Sequence, residues 1–169
     1  MGVGEIERVP EPGDGDERSV LLGWLGFHRS ALEAKCAGLT DEQLVERAAP
    51  PSSLSLLGLV RHLAEMERVY GVWGNGCTCE LVSVWGEYAE GGPDHDFDCD
   101  ASQVQRSMRA WRDERASTDG MIRGLSLDDA NGADQRTVRW NLQKLVGEYA
   151  RHNGHADLIR ERIDGTTGE

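Results

Sequence analysis

Between Leu54 and Trp73 the apolar residues Leu56, Leu59, Val60, Leu63, Met66, Val69, Tyr70 and Trp73 recur at helical spacing. Intervals of three and four return a side chain to one face of an α-helix, whereas a strand needs a period of two. Pro50-Pro51 breaks the chain ahead of this segment, and Ser52 and Ser53 are positioned to cap it. The same spacing recurs in Leu21, Leu25, His28, Leu32 and Cys36, with Gly38 as a stop. It recurs again in Val104, Met108, Trp111 and Ala116, after a start at Asp100 and Gln103. A last segment, Thr137 to Ile163, carries Val138, Leu142, Leu145, Val146, Tyr149, His152, Ala156 and Ile159, and Asp164-Gly165 ends it. Thr40 followed by Gln43 has the form of a capping box and predicts a short helix with Leu44 and Val45 inward. No stretch alternates convincingly. The expected fold is all-α, a four-helix bundle with one long crossover loop through residues 74–100 and short extra helices. Within that loop, Leu81 to Tyr88 suits a short helix or a strand equally.

Domain organisation follows from the same pattern. Residues 1–16 mix glycine, proline and acid with little to bury, predicting a flexible arm. Residues 17–165 form the bundle, and residues 166–169 a frayed tail. Lys plus Arg number 18 against 30 Asp plus Glu, a net charge of −12, which opposes binding to nucleic acid or an anionic membrane surface. No apolar run approaches the roughly 20 residues of a membrane span. Met1 to Arg18 shows no basic start followed by an apolar stretch, so no secretory leader is expected. In that setting the four cysteines read as thiols, and a cytoplasmic location follows.

Besides His28, three of the five histidines lie in the long helices near their apolar faces: His62, His152 and His155. His152 and His155, three apart, point into one sector of the last helix, and His62 on a facing helix can complete a set of three imidazoles. Three neutral imidazoles hold a divalent ion with a position left open for water or substrate. Hydrogen-bonded core histidines give the same spacing. Gly154, inside the helix between the two histidines, suggests either a packing contact or the close approach of a ligand. Glu148 and Glu65 are placed to accept from imidazole N–H groups, and either would also serve as a solvated surface acid.

Two rival sites are weaker. Cys77, Cys79, His95 and Cys99 lie in the crossover, but Cys-x-Cys is tighter than the gap usual for structural zinc. Asp94, Asp96, Asp98 and Asp100 begin like a calcium loop, yet Cys99 and Gln105 stand where an EF-hand needs Gly and Glu.

With SLLGLVRHLAEMERVYG (Ser55 to Gly71), DHDFD (Asp94 to Asp98) and TVRWNLQKLVGEYARHNGHADLIRERIDG (Thr137 to Gly165), the chain resembles the DinB/YfiT-like superfamily. The similarity is to its actinobacterial branch related to mycothiol-dependent enzymes, and covers nearly everything from Leu21 to Gly165. The resemblance implies a four-helix bundle with a divalent metal, Zn²⁺ first and Ni²⁺ or Fe²⁺ as alternatives, on His62, His152 and His155. Many members space the last pair four apart, which would fall on Arg151, and related sequences often carry histidine where this chain has Lys144. The implied activity is a thiol S-transferase joining a low-molecular-weight thiol such as mycothiol, as co-substrate, to a small electrophile. Alternatives on the same scaffold are a metal-dependent hydrolase and a non-catalytic small-ligand-binding bundle. Trp24, Tyr70, Trp73, Trp140 and Tyr149 are candidate cavity walls, each explained as well by core packing. No general base is identified beyond Glu148 and Glu65. The expected partners are a small-molecule substrate, with neither nucleic acid nor membrane. A homodimer is an assembly open to such bundles, although no heptad seam specifies a partner face.

Overall fold

The computed structural model describes residues 7–81, 83–85 and 95–168, and four of the five α-helices among them open on a side-chain acceptor. Helix α1, Glu17–Cys36, starts where Asp16 accepts from Ser19 N at 2.7 Å. Helix α2, Asp41–Leu44, carries the expected capping box between Thr40 and Gln43. Helix α3, Leu56–Met66, is capped by Ser55, which accepts from Gly58 N at 3.1 Å. Ser52 and Ser53 were expected in that role, but Ser52 Oγ instead accepts from Leu54 N and closes the turn before the helix. A 3₁₀ turn at Ala101–Gln103, boxed by Asp100, leads into α4, Val104–Ile122. Thr137 opens α5, Val138–Asp164, and Gly165 closes it with a φ of +77°.

All five α-helices among the described residues belong to one packed unit, with α1 against α5 and α3 against both α4 and α5. No strand occurs among the described residues, so the all-α bundle holds. The core is built from Leu25, Leu32, Leu56, Leu59, Leu63, Trp111, Leu142, Leu145, Tyr149 and Ile159, all buried. Among the described residues no helix is long and apolar enough to cross a membrane. Residues 7–16, the described part of the expected arm, touch α1: Val9 N donates to Ser30 Oγ at 3.1 Å, and Pro12 packs on Gly23. Half of the segment Leu81 to Tyr88 lies outside the described residues, and its described half, Leu81 and residues 83–85, forms neither helix nor strand.

The helix expected to run unbroken to Trp73 changes geometry at Glu67. Residues Glu67–Val72 form a π-turn and Trp73–Asn75 a 3₁₀ turn. Two observations explain the change. Gly71 lies so close to α4 that a Cβ there would sit 2.0 Å from Thr118 Oγ1. Asn75 then donates from Nδ2 to the carbonyls of Tyr70 and Gly71, both at 2.9 Å, satisfying oxygens that the widened turn exposes.

A polar network crosses the core beside this turn. Arg29 forks onto Glu67, Nε to Oε1 at 2.7 Å and Nη2 to Oε2 at 2.6 Å, and reaches Asp119 at 2.8 Å. Tyr149 donates to Glu67 Oε1 at 2.7 Å and accepts from Trp111 Nε1 at 2.7 Å. Tyr149 is thus a core residue with its hydroxyl fully engaged, not a cavity wall.

The expectation of four free thiols is corrected. Cys77 and Cys79 form a disulfide, while Cys36 and Cys99 remain thiols.

Candidate metal centre

Four polar side chains converge where α3, α5 and the turn at His95–Phe97 meet. His62 comes from the middle of α3, and Glu148, His152 and His155 from successive turns of α5. Glu148 and His152 are four residues apart, so both project from one side of the helix. Glu148 Oε2 lies 3.9 Å from His62 Nε2 and 3.6 Å from His152 Nε2. Among the described residues, His62, Glu148 and His152 are the group whose donor atoms all lie within 4.8 Å of one another. His155 faces the other nitrogen of His152, Nδ1 to Nδ1 at 3.3 Å.

The histidines are held from behind. Asp96 Oδ2 lies 3.2 Å from His62 Nδ1, which turns Nε2 toward Glu148 when Nδ1 carries the proton. Arg61 Nε donates to the Asp96 carbonyl at 2.8 Å, and Phe97 stacks on the His62 ring at 5.2 Å and 22°. Within the DHDFD stretch, Asp96 and Phe97 therefore give His62 an acceptor and a packing surface. Lys144 forms an ion pair with the other Glu148 oxygen, Oε1. Burial alone would raise the Glu148 carboxyl, but the Lys144 hydrogen bond and charge outweigh it and hold the group below its usual range. Burial, reinforced by the neighbouring His62 and His155, pushes His152 down to about 4. At neutral pH His152 is thus an uncharged imidazole and Glu148 a carboxylate, the protonation states of metal donors.

The donor separations suit a small divalent ion. Ligand atoms at about 2.1 Å from a tetrahedral centre stand about 3.4 Å apart, near the 3.6 and 3.9 Å observed. Glu148 also lines a surface pocket of about 280 Å³, together with Trp140, Gln143, Lys144, Gly147 and Arg151.

Other sequence candidates lie elsewhere. Glu65 does not reach a histidine; its Oε1 accepts from Val84 N at 2.6 Å and from Ser83 Oγ, tying the loop to α3. No neighbouring helix packs on Gly154, where a Cβ would meet nothing within 4 Å. The rival cysteine site is not assembled: Cys77 and Cys79 are joined to each other, His95 Nε2 faces the Trp85 carbonyl at 3.2 Å, and Cys99 lies against Ser55. Sequence reasoning missed Asp96 as the partner of His62 and undervalued Glu148. The Glu148/His152 spacing of four was the available signal.

The family model described as Mycothiol-S-transferase matches residues 20–165. No curated protein and no solved structure in the corresponding comparisons matches the chain.

Proposed function

Because the chain belongs to the mycothiol-S-transferase family, we propose that it is a metal-dependent thiol S-transferase joining a low-molecular-weight thiol, mycothiol in the first instance, to a small electrophile. The observation that carries the metal dependence is the convergence of His62, Glu148 and His152 within 4.8 Å. We assign these three as the ligands of a divalent ion, Zn²⁺ before Ni²⁺ or Fe²⁺. His155, expected from the sequence as a third ligand, takes the role of neighbour to His152 Nδ1. A divalent ion bound there would keep a thiol as thiolate near neutral pH, the form that attacks electrophiles.

The chain's own residues do the rest. Asp96 fixes the orientation of His62, and Phe97 covers its ring. Lys144 holds one oxygen of Glu148 and leaves the other facing the two histidines. The pocket between Trp140 and Arg151 receives the small substrate, with the cations Lys144 and Arg151 on its wall and Trp140 40% exposed.

Conjugation of mycothiol to a fluorogenic haloalkyl electrophile tests the reading. The zinc-loaded protein should consume thiol and electrophile together, and His152→Ala should lose the activity. Substrate turnover without any thiol would overturn the transferase reading in favour of hydrolysis.

A further inference from the structure

Cys77 and Cys79 close a disulfide across one intervening residue, where the chain leaves the 3₁₀ turn Trp73–Asn75. Gly76 N donates to Trp73 O and Cys77 N to Val72 O, so Cys77 stays tied to the helical end. Thr78, Cys79 and Glu80 are exposed. In the chain-entropy account, a disulfide stabilises a fold more the longer the chain it closes off. This one encloses a single residue and joins no two helices, so stapling the fold does not explain it.

Its geometry suits exchange. Cys79 is the exposed partner, and its own backbone N–H donates to Cys77 Sγ at 3.1 Å. When the bond opens by attack at Cys79, the electron pair falls on Cys77, the sulfur to which an N–H is already directed. A leaving thiolate stabilised in this way departs faster.

We propose that Cys77–Cys79 is a thiol–disulfide exchange site, reduced by low-molecular-weight thiols and reoxidised by their disulfides, and made of residues outside the His62–Glu148–His152 cluster. An incoming thiolate RS⁻ bonds to Cys79 Sγ as the Sγ–Sγ bond breaks, and Cys77 leaves as thiolate. A second thiolate attacks the RS sulfur of the mixed disulfide, releasing RSSR and the Cys79 thiolate, and both cysteines take protons from the two thiols consumed. Two RSH become RSSR while the protein gains two electrons and two protons, and RSSR drives the reverse. The remaining sulfurs are poor competitors: burial pushes the Cys36 thiol up to about 12 and raises that of Cys99.

The test is equilibration of the full chain with mixtures of glutathione and glutathione disulfide, followed by acid quench, alkylation and peptide mapping. Cys77 and Cys79 should pass together between disulfide and dithiol as the ratio changes. Cys77→Ser should trap glutathione on Cys79, and Cys79→Ser should trap it on Cys77 at least about tenfold more slowly, because attack depends on access. A pair that stays oxidised in the folded protein at every ratio overturns the proposal, as does a pair that stays reduced at every ratio. Glutathione found only on Cys36 or Cys99 also overturns it. The wild-type titration needs no substitution and decides the matter even if a serine variant fails to fold.

Discussion

Glu148 and Tyr149 are neighbours on α5, yet they belong to two buried polar clusters of opposite design. Around Tyr149 every strong donor meets an acceptor: Arg29 forks onto Glu67, Tyr149 donates to Glu67, and Trp111 donates to Tyr149. Burial works against the Arg29 charge, but the Glu67 carboxylate outweighs it and keeps the guanidinium firmly protonated. Around Glu148 the pairing is incomplete: Lys144 takes Oε1, while Oε2 faces two imidazoles. His152 turns one nitrogen to His155 at 3.3 Å and the other to a carboxylate oxygen at 3.6 Å, beyond hydrogen-bond reach. The first cluster is a closed circuit that fixes the helices. The second leaves Glu148 Oε2 facing two imidazoles beyond hydrogen-bond reach, the place where we propose that a cation binds.

Substitutions should separate the two clusters. Glu67→Ala, which removes the bidentate partner of the buried Arg29 and leaves it Asp119, should cost about 3–5 kcal/mol in chemical denaturation whether or not metal is present. A loss under about 1 kcal/mol would show that the circuit does not fix the helices. Asp96→Ala should leave stability of the metal-free protein nearly unchanged but weaken zinc binding about 10–100-fold in competition titration, since it frees His62 to turn. An unchanged affinity would mean that Asp96 does not orient His62.

The clusters should also respond differently to acid. His152 titrates near 4 when folded and near 6.5 when unfolded, so the unfolded chain binds more protons between those values. The contribution of His152 is neutral above about pH 6.5, and metal-free stability should fall as pH drops from there toward 4. Burial lowers His28 as well and adds to the same slope. The slope should shrink in His152→Ala, and an identical slope would assign the acid sensitivity elsewhere. The smallest effect is expected at Gly154→Ala, on the open side of α5, which should stabilise the fold by about 0.5–1 kcal/mol. Destabilisation there would mean that this face of α5 is covered.

Much of this was legible because helical spacing and capping are local. Thr40 with Gln43, Asp100 with Gln103, Thr137 and Gly165 mark element ends that the fold keeps. The change of geometry at Glu67 was not legible, since it depends on Thr118 of α4 pressing on Gly71 from far along the chain. The three histidines were found from their place on apolar faces. What the sequence concealed was which neighbour each would face: an acid four residues before a histidine is common on exposed helices, and only the packing of α3 against α5 turns Glu148 inward. Asp96 was invisible for the same reason, lying 34 residues from the histidine it supports. The cysteines misled because thiols were judged from composition, whereas pairing depends on the turn after Asn75 that brings Cys77 and Cys79 together.

The central claim is that His62, Glu148 and His152 hold a divalent ion, and zinc titration by calorimetry on the metal-stripped protein tests it most directly. Wild type should bind a single ion, His62→Ala and His152→Ala should lose it, Glu148→Gln should bind far more weakly, and His155→Ala should retain it. A wild-type protein that takes up no divalent ion, or a His62→Ala/His152→Ala double variant that binds as tightly as wild type, would contradict the claim.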